Sequence, residues 1–452
     1  MSSFDLVIKG GTVVWTSGRQ RLDIGVRDGK IECLARSLEA GAEQVIDAGG
    51  LYVLPGIIDS HVHPIHAENF TSVSEAAAFG GVTTLMHFIY TKPQLGLVET
   101  LQAAREEAES SSLMDFGLHA TVSDTQRRLK EIPVAVEMGV SSFKFFTAYQ
   151  RRGMYTSDTD LFQAMEVIAS LNGLVMVHAE NGALVDLFED RCRSTGANGG
   201  SDYLSSRPPE TEAEAVYRVA SLARLARCPL YAVHVSCAEA LHLLARVRVQ
   251  GQFPLFVETC PHYLTLEGEE TMARFGTKAK IAPPLRGAED IAALWAGIAA
   301  RSVDVVGSDH SAFDPDEKNP ESGNLFDAGF GAPGIESMLV MVHEEGVNRG
   351  RITLERMVEL LAESPARIFG LHNKGRIVPG ADADLVLFDP TAEKLLSDSD
   401  LHGKAYYSLY SGRKVRGIPR MVIQSGRVVV DGSQLLAKPG YGRFVPARFG
   451  KA

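Results

Sequence analysis

Eight short apolar runs, separated by stretches of helical pattern, constrain this chain more than anything else in it. They occupy residues 54–60, 82–88, 116–121, 143–146, 174–178, 230–235, 254–258 and 303–308. Helical patterns at 72–79, 97–109 and 212–226 fall between them. Strand and helix patterns in alternation imply a parallel sheet, because a parallel neighbour is reached only by a crossover long enough to hold a helix. Eight such units predict an α/β fold, a TIM-like (β/α)8 barrel, and residues 53–373 are assigned to it.

The two ends of the chain have a different texture. Residues 4–14 alternate apolar and polar and turn at Gly10 and Gly11, and 24–26, 30–34 and 44–47 read as further short strands. The same texture returns after Lys374, in 375–389, 420–425 and 427–430. Short strands with glycine-rich turns predict a small β-sandwich built from both ends, 1–52 and 374–452, with the barrel inserted between them. At 452 residues the chain is long enough for both units.

Composition narrows the partners. A net charge of −11 without a basic stripe argues against nucleic acid and anionic membrane, since nothing neutralises their phosphates. The first residues carry no basic segment followed by an apolar core, and no apolar run approaches the roughly 18 residues of a spanning helix. The five cysteines are scattered and never paired as CxxC, which fits reduced thiols. A cytoplasmic protein is expected.

The chemistry is concentrated at the ends of the apolar runs. His61 and His63, at i and i+2, share one face of a strand and can grip one ion together. Lys144, His178, His234 and Asp309 lie within or just beyond four other runs. One buried histidine is ordinarily a satisfied core residue, but a barrel gathers its strand ends at one mouth, where its chemistry sits. Imidazole and carboxylate ligands without thiolate suit zinc, and also Mn, Fe(II), Co or Ni. The set exceeds what one tetrahedral ion needs. An ammonium cannot be a ligand, so from position alone Lys144 reads as a buried ion pair, with covalent modification as the alternative.

The segments 59–63, 143–149, 177–181, 233–236 and 307–310 resemble, in order and placement, the motifs of the amidohydrolase superfamily. Within it the chain is similar to the cyclic amidohydrolases: dihydropyrimidinases, hydantoinases and allantoinases. Segments 206–215 and 282–286 add to the likeness, which runs from residue 4 to beyond 389. The resemblance implies metal-dependent hydrolytic ring opening of a cyclic amide by a metal-bridging hydroxide. The substrate would be a hydantoin, a dihydropyrimidine or a related ureide or imide. It implies two divalent ions, zinc first among them, bridged by a CO2-derived carbamate on Lys144. His61, His63 and Asp309 would hold the more buried ion, and His178 and His234 the other. Asp309 would carry the proton to the leaving nitrogen, and Tyr149 would stabilise the oxyanion. A homo-oligomer, tetramer or dimer, is also implied.

Two positions depart from the hydantoinase pattern: Ala282 stands for the serine of a Ser-Pro-Pro motif, and Phe330 for an asparagine before Gly-x-Pro-Gly. Both are expected to contact substrate, with ring preference altered. Arg151 and Arg152 read as a solvated charge pair, and the sharper reading has one of them, Arg151, recruiting an anionic substituent. His66 and His310 are expected beside the ligands, with His310 orienting Asp309. Residues 258–264, including His262, and Ala282 favour allantoinase as the alternative. Dihydroorotase fits less well, because Ile65 stands where its signature arginine would be. A non-catalytic dihydropyrimidinase-like scaffold fits least, because every ligand position is filled.

Overall fold

The structure is a computed structural model that describes residues 4–450 apart from 40, 93 and 252. Eight parallel strands follow one another around the barrel: β1 (Ile57–Val62), β2 (Val82–Tyr90), β3 (Asp115–Thr121), β4 (Ser142–Phe146), β5 (Leu174–His178), β6 (Leu230–Ala232), β7 (Leu255–Thr259) and β8 (Val305–Val306). The ring closes just past β8, where His63 N–H donates to His310 O at 2.9 Å and Val62 pairs in parallel with His310. Helices such as Phe70–Phe79, Leu97–Ser111 and Pro209–Ala226 pack outside. Asn69 and Ser72 cap the first of these reciprocally, and proline opens the third, both ordinary helix starts.

The barrel interior is a packed core. Ile58, Met86, Phe88, Leu174, Met176, Tyr231 and Val305 fill it, and Phe369, Val445 and Ala447 join the same cluster. Residues 443–449, expected with the sandwich, instead run across the N-terminal ends of the strands. Phe116 N–H donates to Arg443 O (3.0 Å), Val445 N–H to Phe116 O (2.7 Å) and Ala447 N–H to Gly139 O (2.8 Å). Val445 and Ala447 are buried there in the barrel's own apolar cluster, with Phe449 packed against it.

Nine strands from the two ends form a separate mixed sheet, in which Tyr52–Pro55 pairs antiparallel with Leu385–Leu395 and parallel with Phe4–Trp15. Its inward residues, among them Ile8, Val13, Ile24, Val53, Leu385 and Ile423, make their own core. The run expected as the first barrel strand, 54–60, is therefore divided. Its start belongs to the terminal sheet, and the barrel begins only at Ile57. Gly56 is the junction: a Cβ there would lie 2.1 Å from Thr83 Oγ1 and 2.9 Å from Asp384 Cβ.

Lys374 fastens the two units. Its buried ammonium lies 2.5 Å from Asp115 on β3, 2.7 Å from Asp384 and 3.0 Å from Asp382. Those three carboxylates also meet the geometric requirement for an ion site, but the Lys374 ammonium already lies among them and Lys30 reaches Asp382 at 2.8 Å. Among the described residues no helix is long and apolar enough to cross a membrane.

Candidate active site

A cavity of about 290 Å³ opens at the C-terminal ends of the strands, lined by His61, His63, Lys144, His178, His234 and Asp309. Tyr149, Ala282 and Phe330 line it too. The fold thus gathers side chains spread over most of the sequence.

Two strands end early to build this mouth. β6 was expected to run to residue 235 and β8 from 303 to 308, but their ladders stop at Ala232 and Val306. The reason is competition for backbone donors. His234 N–H goes to Glu258 Oε1 (3.1 Å) and Ser308 N–H to Asp59 Oδ1 (3.0 Å). His234 (φ 40°), Asp309 (φ 49°) and Tyr149 (φ 66°) then adopt left-handed backbone, uncommon for non-glycine residues and concentrated where function demands strain.

His61, His63 and Asp309 place one ligand atom each within 4.8 Å of the others. Glu258 Oε1 sits 2.6 Å from His61 Nδ1. A carboxylate there accepts the hydrogen bond of Nδ1–H, which fixes the proton on Nδ1 and leaves a lone pair on Nε2. That Nε2 is buried with no hydrogen-bond partner, 3.1 Å from Asp309 Oδ1. His63 Nε2 lies at the same distance from the same oxygen, and Tyr90 OH is 3.2 Å from its Nδ1. Burial holds His61 well below the usual histidine range, so it is neutral. Burial alone would raise Asp309, and positive charge at the His61 and His63 nitrogens lowers the carboxyl to about 2. Lone pairs of this kind pointed at one another fit a cation.

A second donor pair faces the first. His178 Nδ1 and His234 Nε2 are 3.0 Å apart. Glu180, 2.7 Å from His178 Nε2, accepts the hydrogen bond of Nε2–H and so frees Nδ1. Burial would raise Glu180, but Arg207, 2.7 Å away, pulls it to about 2. Burial also pushes His178 below and His234 well below the usual value. The donor chemistry of both clusters fits divalent ions, as does their closed ring of polar groups inside an apolar barrel.

Lys144 lies in this ring, 2% exposed, its Nζ 5.0 Å from the Phe88 ring and 5.4 Å from the Phe146 ring. Burial lowers its pKa to about 8, against the pull of Asp309 and Glu258. Among the described residues no carboxylate stands within ion-pairing distance of it, so the bland reading of a buried ion pair is not what the fold builds.

On the wall, Gly331 N–H donates to Lys280 O (2.9 Å), which sets the segments bearing Ala282 and Phe330 side by side. Tyr149 packs against His178, ring centroids 4.8 Å apart, and burial raises its phenol well above 10, so it stays a donor. Arg151 is not at the cavity. It is exposed and reaches away to Asp190 (2.6 Å) and Asp186 (3.4 Å) on helix Gly182–Thr195, and Arg152 lines the cavity in its place. The turn at Gln150–Arg152 rotates successive side chains apart, which residue order alone does not resolve. His66 lines the cavity, stacked on Phe313 and 3.0 Å from Glu317. His310 turns its Nδ1 to the backbone N–H of Gly334 (3.2 Å), and neither it nor His262 lines the cavity.

Glu258, Glu180, Arg207 and Tyr90 carry roles in this geometry that the linear pattern did not assign. A charged residue ending the apolar run 254–258 was a readable signal for Glu258, and the glutamate two residues past His178 for Glu180. Arg207 lies in the segment 206–215 that carries the family likeness, but nothing there pointed to Glu180, 27 residues away.

The amidohydrolase family model matches residues 52–429. A D-hydantoinase from Ralstonia pickettii is 38% identical, covering 98% of this chain and 99% of its own. An allantoinase from Rubrobacter xylanophilus is also 38% identical, over 98% of both chains. Among solved structures, a D-hydantoinase superposes with a TM-score of 0.96 at 36% identity, covering 99% of this chain and all of its own. The dihydropyrimidinase of Brevibacillus agri does so with 0.94 at 33%, covering 98% of each.

Proposed function

The chain belongs to the amidohydrolase family, and from that premise we propose that it opens cyclic amide rings of the hydantoin or dihydropyrimidine type by metal-dependent hydrolysis. The observation that carries this reading is the pairing of two histidine clusters, each with one nitrogen freed by a buried glutamate, around a buried lysine that pairs with no carboxylate among the described residues.

In this reading His61, His63 and Asp309 hold one divalent ion and His178 and His234 the other, with zinc the first choice. Divalent ions here supply a lowered water pKa and a polarised amide carbonyl. Lys144, made partly neutral near pH 8 by its burial, attacks CO2 through Nζ. The neutral amine forms a nitrogen–carbon bond to CO2 and releases one proton to solvent, and the resulting carbamate would offer anionic oxygens to the ions. Asp309, ionised down to about 2, accepts a proton from the attacking water and passes it to the departing ring nitrogen. Tyr149, kept protonated by burial, donates to the oxygen that gains charge at the tetrahedral carbon. Ala282 and Phe330 shape the wall that receives the ring. We place the division between barrel and terminal unit at Gly56, and a homo-oligomer accords with the family.

The test is ring-opening by metal-loaded protein against hydantoin, dihydrouracil, 5-substituted hydantoins, allantoin, dihydroorotate and simple cyclic imides, with metal content measured on the same sample. About two metals per chain with turnover of a hydantoin or dihydropyrimidine is expected. Turnover confined to allantoin would favour the alternative, which the equally similar allantoinase supports. No ring opened by fully loaded protein would refute the reading.

A further inference from the structure

Besides Lys144, the cavity carries one cation, Arg152, with no carboxylate in ion-pairing distance among the described residues. Three cationic groups surround the Phe330 ring: Lys280 Nζ at 4.1 Å, Arg152 at 4.5 Å and Arg207 at 4.9 Å from its centroid. Two of these are accounted for. Arg207 is buried between Glu180 (2.7 Å) and Glu189 (2.9 Å). Lys280 is buried and donates to the carbonyls of Phe326 (2.7 Å) and Ala328 (2.6 Å). Arg152 has only the rings of Phe330 and, at 5.7 Å, Tyr149. Among the described residues no carboxylate lies within ion-pairing distance of it. Its neighbour Arg151, equally exposed, has found two.

The position of Arg152 is built by the chain. It closes the short turn that begins at Tyr149, and its N–H donates to Tyr149 O at 3.0 Å. The arginine is thereby tied to the residue that faces the reacting carbon. Glu317 is engaged by His66, which lines the same cavity, at 3.0 Å. At about 290 Å³ the cavity is at the lower end of small-molecule sites, leaving space beyond a ring for only a short side chain.

We infer that Arg152 selects cyclic amides whose ring substituent ends in an anion, most simply a carboxylate on a one- or two-carbon arm. The guanidinium offers a planar fork that matches a carboxylate with two parallel hydrogen bonds. Recognition of the ring would remain with the wall of Ala282 and Phe330, so the arginine would discriminate among substituted rings. This inference rests on the ring-opening reading above and names the substrate class for it.

The test compares 5-(2-carboxyethyl)hydantoin with its isosteric neutral amide, 5-(2-carbamoylethyl)hydantoin, in the wild type and in R152Q. The ratio of kcat/KM, acid over amide, is taken within each enzyme, so that any general loss in the variant cancels. The wild-type ratio is expected at about tenfold, the worth of a charge-assisted bond reduced for exposure, and it should fall as salt is added. In R152Q it should fall to about one. A second readout needs no turnover: calorimetric binding of the ring-opened products N-carbamoylglutamate and N-carbamoylglutamine, in which the acid should lose its advantage in R152Q. Turnover of both rings without acid preference, or a preference unchanged in R152Q, overturns the inference and leaves the ring-opening reading standing. If no ring is opened, that reading fails, and the product pair decides for Arg152: equal affinities overturn the anion site.

Discussion

Replacing Glu258 by glutamine tests whether a buried carboxylate aims the ligand nitrogen of His61. Glu258 is fully buried and accepts four hydrogen bonds. Oε1 receives His61 Nδ1–H (2.6 Å) and His234 N–H (3.1 Å), and Oε2 receives the hydroxyls of Ser60 and Tyr231 (both 2.8 Å). The amide of Glu258→Gln can keep its oxygen at the Oε1 position. Its NH2 then meets two hydroxyls that can rotate to accept, so no polar group need be orphaned. What disappears is charge on the acceptor of two bonds. A charge-assisted bond exceeds a neutral one by about 1 kcal/mol, so about 2 kcal/mol in all, or roughly 30-fold in an equilibrium constant. Metal affinity, measured by competition with a chromophoric chelator on metal-stripped protein, should fall by about 10- to 100-fold, with little change in the urea midpoint. Glu258→Leu behaves differently. Ser60 and Tyr231, whose oxygens are 3.2 Å apart, can partner each other, but His61 Nδ1 and His234 N lose every acceptor. Two buried orphans cost about 2–6 kcal/mol, so this variant should lose stability as well as metal. A glutamine variant binding metal within about twofold of wild type would refute the claim that Glu258 sets the His61 nitrogen.

Lys144→Ala should lose most bound metal and activity, and short carboxylic acids such as acetate or propionate should restore part of both; full activity without them would exclude a modified lysine. Tyr149→Phe removes one donor to the developing oxyanion and should lower kcat by about 100- to 1,000-fold with KM less affected, so an unchanged rate would take the phenol out of the mechanism. Lys374 concerns stability instead of catalysis. Burial alone would lower its pKa, but Asp384, Asp115 and Asp382 together raise it above the ordinary 10.5. A folded-state value above the unfolded one means its contribution is complete below that ordinary value and fades only at more alkaline pH. Lys374→Met should cost about 3–5 kcal/mol by stranding buried carboxylates. In urea titrations the deficit should be smaller at about pH 5 than at about pH 8, because the stranded carboxyls take up protons more readily folded than unfolded. A deficit independent of pH would argue against that electrostatic clasp.

The side chains that meet at the cavity were legible in the sequence, because strand face and run end depend on local periodicity. His61 and His63 share a strand face whatever surrounds them, and Lys144, His178, His234 and Asp309 lie at run ends that a barrel brings to one mouth. The terminal sheet was legible for the same reason, as alternation and turns in two separated segments. Other features depended on contacts between residues remote in the chain. Glu258 meets His61 across 197 positions, and no periodicity carries that pairing. Gly56 divides one apolar run between two sheets because Thr83 and Asp384 leave no space for a side chain. Residues 443–449 cover the bottom of the barrel, where Val445 and Ala447 join its lower apolar cluster. Arg152 faces the cavity while Arg151 faces the neighbouring helix, a difference set by one turn of backbone after Tyr149. Residue type and spacing decided which atoms could bind a metal; packing decided which nitrogens carry protons and which arginine is left without a partner, since both follow from what each buried group finds opposite it.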